Sequence, residues 1–483
     1  MRAADLAPGL GPLLGPHLAR QRWYGAKHRP GAAVEVLSVE EVLSVEEVRP
    51  PWPAIVRVVV GTDDEGDDAG DLPTGEHAAG DHVARGHAAG EHQGERGRRA
   101  SGLVERYQLV LGIVLLDQPH PTNVDDSALV GVLSTPQGPA MAFDALTEPG
   151  LAVELLHHIA AEEDASAVRP ITAEQSNSSL VYDERLILKL YRRLSGANPE
   201  VEVTLALAAN GFAHVAAPVA VWRAGADDLA VVQRFLVGGV DGWALARTSV
   251  RGLLDEGVAP ADAGGDMGPE AERLGAVTAE MHRAMADAFG TEPGDAGAWA
   301  DGIIVRAASV DHVDIDTDEI GRALRPLRSL DDAGAAVRVH GDYHLGQVMR
   351  TDDGWFVLDF EGEPARPVDE RRRRSSPLRD VAGMLRSFGY AAAVGAREHG
   401  GGDGAAELAV AWEHRNRDLF VGAYLARLEG SPLVPGDAWS VRVLLDAFEL
   451  DKAVYEVAYE QAHRPDWVGV PLGALRRLLN KDG

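Results

Sequence analysis

The sequence predicts an α+β fold, with antiparallel strands toward the amino terminus followed by a largely helical block. Three observations predict it. Residues 34–60 alternate apolar and polar side chains at the period of a strand, with Val36, Val56, Val58 and Val60 on the apolar side. Residues 179–182 and 186–191 are short apolar runs around a turn at Asp183 and Glu184, and a helix start follows at Asn198-Pro199-Glu200. Beyond Gly239 the pattern is helical, with one β-rich interruption at 337–360.

Taken in order, residues 1–20 are broken by Pro8, Gly9, Gly11, Pro12 and Gly15, leaving no signal-like apolar core. No run reaches the 18 apolar residues of a membrane span, so a cytoplasmic protein without a membrane partner is expected. The hexapeptide EVLSVE occurs twice, at 35–40 and 41–46, a local duplication that carries no chemistry. From 61 to 102 the composition turns to Gly, Asp, Glu, Ala and His. His77, His82, His87 and His92 recur there every five residues, a spacing that rotates each imidazole away from the last on a helix. A flexible low-complexity insert is therefore expected in place of a metal tract. A strand at 107–116 resumes the interrupted module, and 144–163 reads as an amphipathic helix. At Asn198-Pro199, Asn is a good helix cap and Pro suits the first helical position. Val231, Val232, Phe235 and Leu236 mark a strand before Gly238 and Gly239.

Composition narrows the chemistry. The 483 residues contain no Cys, which removes thiol nucleophiles and thiolate metal sites. With 46 Lys and Arg against 75 Asp and Glu, the net charge is -29, and such a surface repels nucleic acid. Anions must then be met by a few local cations. Only four of the cations are Lys: Lys27, Lys189, Lys452 and Lys481.

The segment 337–363, VRVHGDYHLGQVMRTDDGWFVLDFEGE, is the most informative. Strands around 347–350 and 355–358 flank an Asp-Asp-Gly turn, a hairpin signal. Asp342 precedes the first strand and Asp359 follows the second, so both emerge at one end of the hairpin near Gln347, with His340 and His344 alongside. Asp342 could accept a hydroxyl proton while Gln347 and Asp359 offer oxygens to a hard Mg²⁺ ion. Lys189 lies in mid-strand, and Glu202 lies in the first turn of the helix capped by Asn198. A strand Lys braced by a helix Glu is the kinase arrangement for phosphate. Glu200 is assigned only to favouring the helix terminus. The loop Glu174-Gln175-Ser176-Asn177-Ser178-Ser179 lies where a phosphate-covering loop would, without its glycines. Glu449, Lys452, Glu456, Glu460 and His463 share a helical face. That face reads either as a solvated ladder of ion pairs or as the acidic wall of a site for a sugar, above all one bearing an ammonium group. Val381, Met384, Leu385 and Phe388 read as a core stripe, and Arg371–Arg374 as a solvated loop.

These residues bring a resemblance. RQRWYGAK, EQSNSS, LILKLYRR, NPEVEV, DGWALA, HGDYHLGQV, VLDFEGEPARP, SPLRDVAGMLRSF and HRPDW together resemble the bacterial maltokinases, sugar kinases with a bilobal eukaryotic-like, aminoglycoside-phosphotransferase-type fold. The resemblance implies a cap subdomain over 1–128, a nucleotide-binding lobe over 129–236 and a helical lobe over 237–483. It implies ATP held by Lys189, Glu202, Ser176, Asn177 and Ser178, with a hinge at Val232, Gln233 and Phe235. It makes Asp342 the catalytic base and Gln347, Asp359 and Glu361 the magnesium ligands. The acceptor would meet His344, Tyr390, Glu456, Glu460, His463 and Trp467. Gly389-Tyr390 stands where the family carries Asp-Tyr, and Gln461-Ala462-His463 also departs from its pattern. Maltose is the default acceptor, and glucosamine phosphorylated at its 6-hydroxyl is the alternative. A monomer or weak homodimer acting on a small sugar is expected. A nucleotide-binding regulator without turnover is the reading of another class.

Overall fold

The computed structural model describes residues 3–25, 34–43, 54–64, 103–118, 124–171, 177–312, 314–363, 366 and 368–480. The chain divides into two compact units, Met1–Leu180 with Lys189–Leu194, and Val181–Leu188 with Ser195–Gly483.

The first unit opens with helix α1 (Ala7–Ala19), which runs through Pro8, Gly9, Gly11, Pro12 and Gly15. Leu6, Leu10, Leu14 and Leu18 recur every four residues and are fully buried, and this stripe outweighs Pro12 and Pro16. Strands β1 (Val34–Leu43), β2 (Ala54–Asp64), β3 (Leu103–Leu115), β4 (Leu129–Thr135) and β5 (Gly138–Asp144) form an antiparallel sheet in the order β1-β2-β3-β5-β4. β2 takes in Gly61 to Asp64, the first residues of the expected insert. The four spaced histidines lie outside the described residues. Asp144 ends β5 and caps a short turn at Ala145–Thr147, so helix α2 starts only at Pro149 and ends at Ile159. The single helix expected over 144–163 is divided because Asp144 caps its own short turn and Glu148 caps α2, with Pro149 at the first helical position. β6 (Val168–Ile171), β7 (Asn177–Tyr182), β8 (Leu186–Tyr191) and β9 (Arg193–Leu194) follow, and β9 pairs with β3. Asp183 and Glu184 make the β7–β8 turn at φ 49° and 51°, as their position in the sequence predicts.

The second unit contains α3 (Pro199–Ala209), whose cap Asn198 accepts from the Glu200 amide, and the antiparallel hairpin β10 (Pro218–Ala224) and β11 (Asp227–Arg234). Next come β12 (Val240–Asp241), α4 (Gly242–Glu256), α5 (Gly268–Phe289), β13 (Thr291–Pro293), α6 (Ala296–Ala308), α7 (Thr317–Ala323), α8 (Arg325–Arg328) and β14 (Ala335–Val337). The expected hairpin is β15 (Val348–Thr351) and β16 (Gly354–Val357). Two further pairings, β12 with β15 and β13 with β14, make the β-rich interruption broader than the sequence indicated. Helices α9 (Val368–Arg371), α10 (Leu378–Glu398), α11 (Asp403–Arg427), α12 (Ala438–His463) and α13 (Gly469–Leu479) complete the chain. Among the described residues no helix is long and apolar enough to cross a membrane.

One core runs through α4, α5, α10, α11 and α12, and Val381, Met384, Leu385 and Phe388 are buried in it as predicted. α10 also approaches the 338–347 loop closely. A Cβ on Gly383 would lie 2.6 Å from the Tyr343 carbonyl oxygen, a backbone atom that cannot step aside. Gly383→Ala should therefore cost about 1–3 kcal/mol and lower kcat, measured by thermal melting and steady-state kinetics.

Candidate active site

Three side chains of α10, spaced by three and four, hold the loop that carries Asp342. Asp380 accepts from the amides of His340 at 2.7 Å and Gly341 at 2.9 Å. Gly383 lets the loop backbone approach, and Ser387 Oγ accepts from the Leu345 amide at 3.0 Å. Gly341, at φ 87°, makes the bend that brings both amides onto one carboxylate. Behind it, His282 Nε2 donates to Asp380 at 3.1 Å, and Nδ1 pairs with the Tyr424 hydroxyl at 2.9 Å. Burial works against the charged form of Asp380, yet the His282 and amide hydrogen bonds hold its carboxyl below the ordinary Asp range. His340 Nε2 reaches the Leu358 carbonyl at 2.8 Å and ties the loop to the far strand of the hairpin.

Asp342 Oδ1 accepts from Lys452 Nζ at 2.9 Å, and His344 Nε2 stands 3.9 Å from Oδ2. Burial pushes the Asp342 carboxyl up, and Lys452, with His344 and His340, outweighs it and keeps the group ionised below its usual range. Burial likewise lowers His344, against the pull of Asp342, so its imidazole is neutral near pH 7. At the same open end of the hairpin Gln347 Nε2 donates to Asp359 Oδ2 at 3.0 Å. Asp359 sits at φ 60°, a left-handed conformation that a non-glycine residue holds only where its surroundings impose it.

Glu200 and Glu202 face different partners. The Glu202 carboxylate is taken by Arg372 Nε at 3.1 Å, with an Arg338 nitrogen at 3.8 Å. Glu200 is buried, and its oxygen lies within 4.8 Å of those of Asp359 and Glu361. The two positions differ by two residues, about 200° around a helix, so only one of them can face the hairpin. The arginine run is not a solvated loop either. Arg371 donates to the Arg366 carbonyl, Arg372 to Glu202 and the Ala197 carbonyl, and Arg374 to Glu292 and the Phe289 carbonyl.

Asp342 opens into a cavity of about 670 Å³ walled by α4, α10 and α12. His344, Tyr390, Glu456, Glu460 and Trp467 line it, as the resemblance implied, whereas His463 does not and stacks on Tyr459 at 4.4 Å. The wall is not a solvated ladder. Glu449 is held by Arg417 at 2.7 Å, Glu456 by Arg386 at 2.6 Å, and Glu460 by the Tyr390 hydroxyl and Arg464, each at 2.5 Å. Sequence reasoning missed Lys452 as a partner of Asp342, Asp380 as the anchor of its loop, and Tyr455 and Tyr459 in the cavity wall. The scarcity of Lys was the available signal for the first, and an acid inside an apolar stripe for the second. A larger groove of about 910 Å³ beside β13 and β14 contains none of these residues.

Of the residues expected to bind ATP, Lys189 lies mid-strand in β8 of the first unit, its ammonium 5.8 Å from the Tyr191 ring centroid. Asn177 and Ser178 begin β7, and Ser178 Oγ accepts from Arg192 Nε at 2.8 Å. Ser176 lies outside the described residues. In the second unit Val232 and Gln233 are buried near the end of β11, and the Phe235 amide donates to the Arg185 carbonyl at 2.9 Å.

The profile of the phosphotransferase enzyme family matches residues 167–411, which contain the whole Asp342 loop and hairpin. The chain belongs to the phosphotransferase enzyme family. It is 32% identical over 350 residues to a glucosamine kinase of Mycolicibacterium smegmatis, across 66% of this chain and 82% of that one. It is 30% identical over 348 residues to a glucosamine kinase of Streptacidiphilus jiangxiensis, across 64% of this chain and 73% of that one. A solved glucosamine kinase in complex with glucosamine, ADP and inorganic phosphate superposes with a TM-score of 0.57 at 28% identity, covering 73% of this chain and 92% of that one. The chain is a carbohydrate kinase. The relatives favour the alternative acceptor, glucosamine, over maltose.

Asp380 also sets an acid limit. Its folded carboxyl titrates below the unfolded value of about 3.9, so its stabilisation is complete above that pH and is lost as pH falls toward the folded value. Asp380→Asn places an NH₂ donor among N–H donors and should cost about 3 kcal/mol, with a flatter fall of stability below pH 5 in acid-titrated melts.

Proposed function

We propose that this carbohydrate kinase transfers the γ-phosphate of ATP to glucosamine, at the 6-hydroxyl. The observation that carries the reading is the placement of Asp342 on a cavity whose lining holds Asp241, Glu398, Glu456 and Glu460 against Arg247, Lys452 and Arg464. With Asp342 included, carboxylates outnumber cations there, which favours an acceptor bearing an ammonium group. Trp243, Tyr390, Tyr455, Tyr459 and Trp467 offer apolar faces for a sugar ring. The relatives named for glucosamine support the same choice.

The reaction follows from the residues. Asp342 takes the proton of the acceptor hydroxyl as its oxygen forms a bond to the γ-phosphorus, and the bond to ADP breaks with its electron pair leaving on ADP. The 6-hydroxyl is the sugar's primary alcohol and the least hindered of its nucleophiles. We assign the ATP phosphates to Lys189, Asn177 and Ser178, and the adenine to the Val232–Phe235 stretch. The oxygens of Glu200, Asp359 and Glu361, with Gln347 bonded to Asp359, are the hard donor set that Mg²⁺ takes. Bound there, the ion would neutralise phosphate charge. Glu200 joins this set in place of the assignment to the helix terminus, and Glu202 is withdrawn from the ATP contacts.

A coupled ADP-release assay with ATP and Mg²⁺ should show turnover with glucosamine well above that with glucose or maltose. A preference for maltose would reverse the choice of acceptor. Asp342→Asn should lower kcat by about 100- to 10,000-fold while nucleotide still raises the melting temperature. Glu460→Gln should raise KM for glucosamine about tenfold and alter KM for glucose little. Equal changes for both sugars would remove Glu460 from recognition of the amine.

A further inference from the structure

Three buried or half-buried carboxylates elsewhere in the second unit are gripped by arginines through both oxygens. Arg306 donates to Asp451 Oδ1 and Oδ2, each at 2.6 Å. Arg415 does the same to Asp266, and Arg417 to Glu449. A planar guanidinium matches a carboxylate edge and leaves neither oxygen open on that side. Asp342 is held differently, by an ammonium that meets a single oxygen. Its partner is one of only four Lys in a chain with 46 cations. The ammonium donates to Oδ1 alone, while Oδ2 has no hydrogen-bond donor among the described residues and has His344 Nε2 3.9 Å away.

Lys452 is itself held in place. It is largely buried, its ammonium lies 4.6 Å from the Tyr455 ring centroid, and Glu363 and Glu456 add attraction from two other directions. A cavity of only about 20 Å³ remains beside it, between Glu363, Arg379 and Tyr455, so its stem is confined.

We propose that Lys452 is a positioning residue for phosphoryl transfer, occupying one oxygen of Asp342 so that the other, Oδ2, receives the acceptor's proton. The proposal rests on Asp342 being the base. The charge of Lys452 has a second effect. The groups facing Asp342 are His340 and His344 on its own loop and Lys452 on α12, with Glu363, Glu456 and Tyr455 around the ammonium. Burial opposes ionisation of Asp342, and of these groups Lys452 opposes burial most. Its removal therefore moves the protonation of Asp342 to higher pH, toward the working range of the enzyme.

The test compares Lys452→Met and Lys452→Arg with the wild type, using ATP, Mg²⁺ and glucosamine and recording kcat and kcat/KM against pH. Met keeps the stem and removes the charge. It should lower kcat about 10- to 100-fold and shift the acid limb of kcat/KM to higher pH, with KM for ATP unchanged. Arg keeps the charge, so the acid limb should stay in place, but its two donors cap both oxygens and kcat should still fall about tenfold. This split between the acid limb and kcat would not arise from a purely structural role. Wild-type kcat in the Arg variant would overturn the one-oxygen argument, and an unmoved acid limb in the Met variant would overturn the electrostatic one. Should Met fail to show a nucleotide-dependent rise in melting temperature, Lys452→Gln, neutral but still a single donor, replaces it with the same expected shift. A wild type that releases no ADP with glucosamine or any other sugar refutes the functional reading itself, and the assignment of Lys452 falls with it.

Discussion

A buried carboxylate that accepts two backbone amides from the 338–347 loop is the interaction on which the site depends. Asp380 is 1% exposed, and its oxygens bind His340, Gly341 and His282. An unpaired charge in that position would be expensive, so the loop can adopt only the conformation that supplies both amides. The same constraint places Asp342 one residue beyond Gly341, at the edge of the cavity. The His340 ring, bonded to the Leu358 carbonyl, then sets the Asp359 end of the hairpin. The geometry of the site is thus specified from behind, by a helix that contacts the loop through Asp380, Gly383 and Ser387.

The charge distribution follows a consistent division of labour. Net charge is -29, yet the acids around the site are matched locally, with Glu456 on Arg386, Glu449 on Arg417 and Asp342 on Lys452. Arg417 takes both oxygens of Glu449, and Arg386 places two donors on one oxygen of Glu456. Lys452 meets one oxygen of Asp342.

Much of the catalytic region could be read from local spacing. The hairpin around the Asp-Asp-Gly turn places Gln347 and Asp359 together without reference to the rest of the chain, and the Asn198 cap with Pro199 sets the first turn of α3. The errors arose where tertiary packing overrides a local rule. The arginines at 371, 372 and 374 look like a solvated run until Glu202, Glu292 and the Ala197 and Phe289 carbonyls are brought to them.

By itself the sequence determined the α+β class, the hairpin, the pairing of Gln347 with Asp359 and the phosphotransfer chemistry, since these depend on residues a few positions apart. Only the tertiary structure decided that Glu200 and not Glu202 turns to the hairpin, that Asp380 anchors the loop, and that Lys452 meets Asp342 across 110 positions of chain. Helical periodicity says which residues share a face. Which face meets which neighbour is settled by burial of the whole core, a long-range balance that no local window contains.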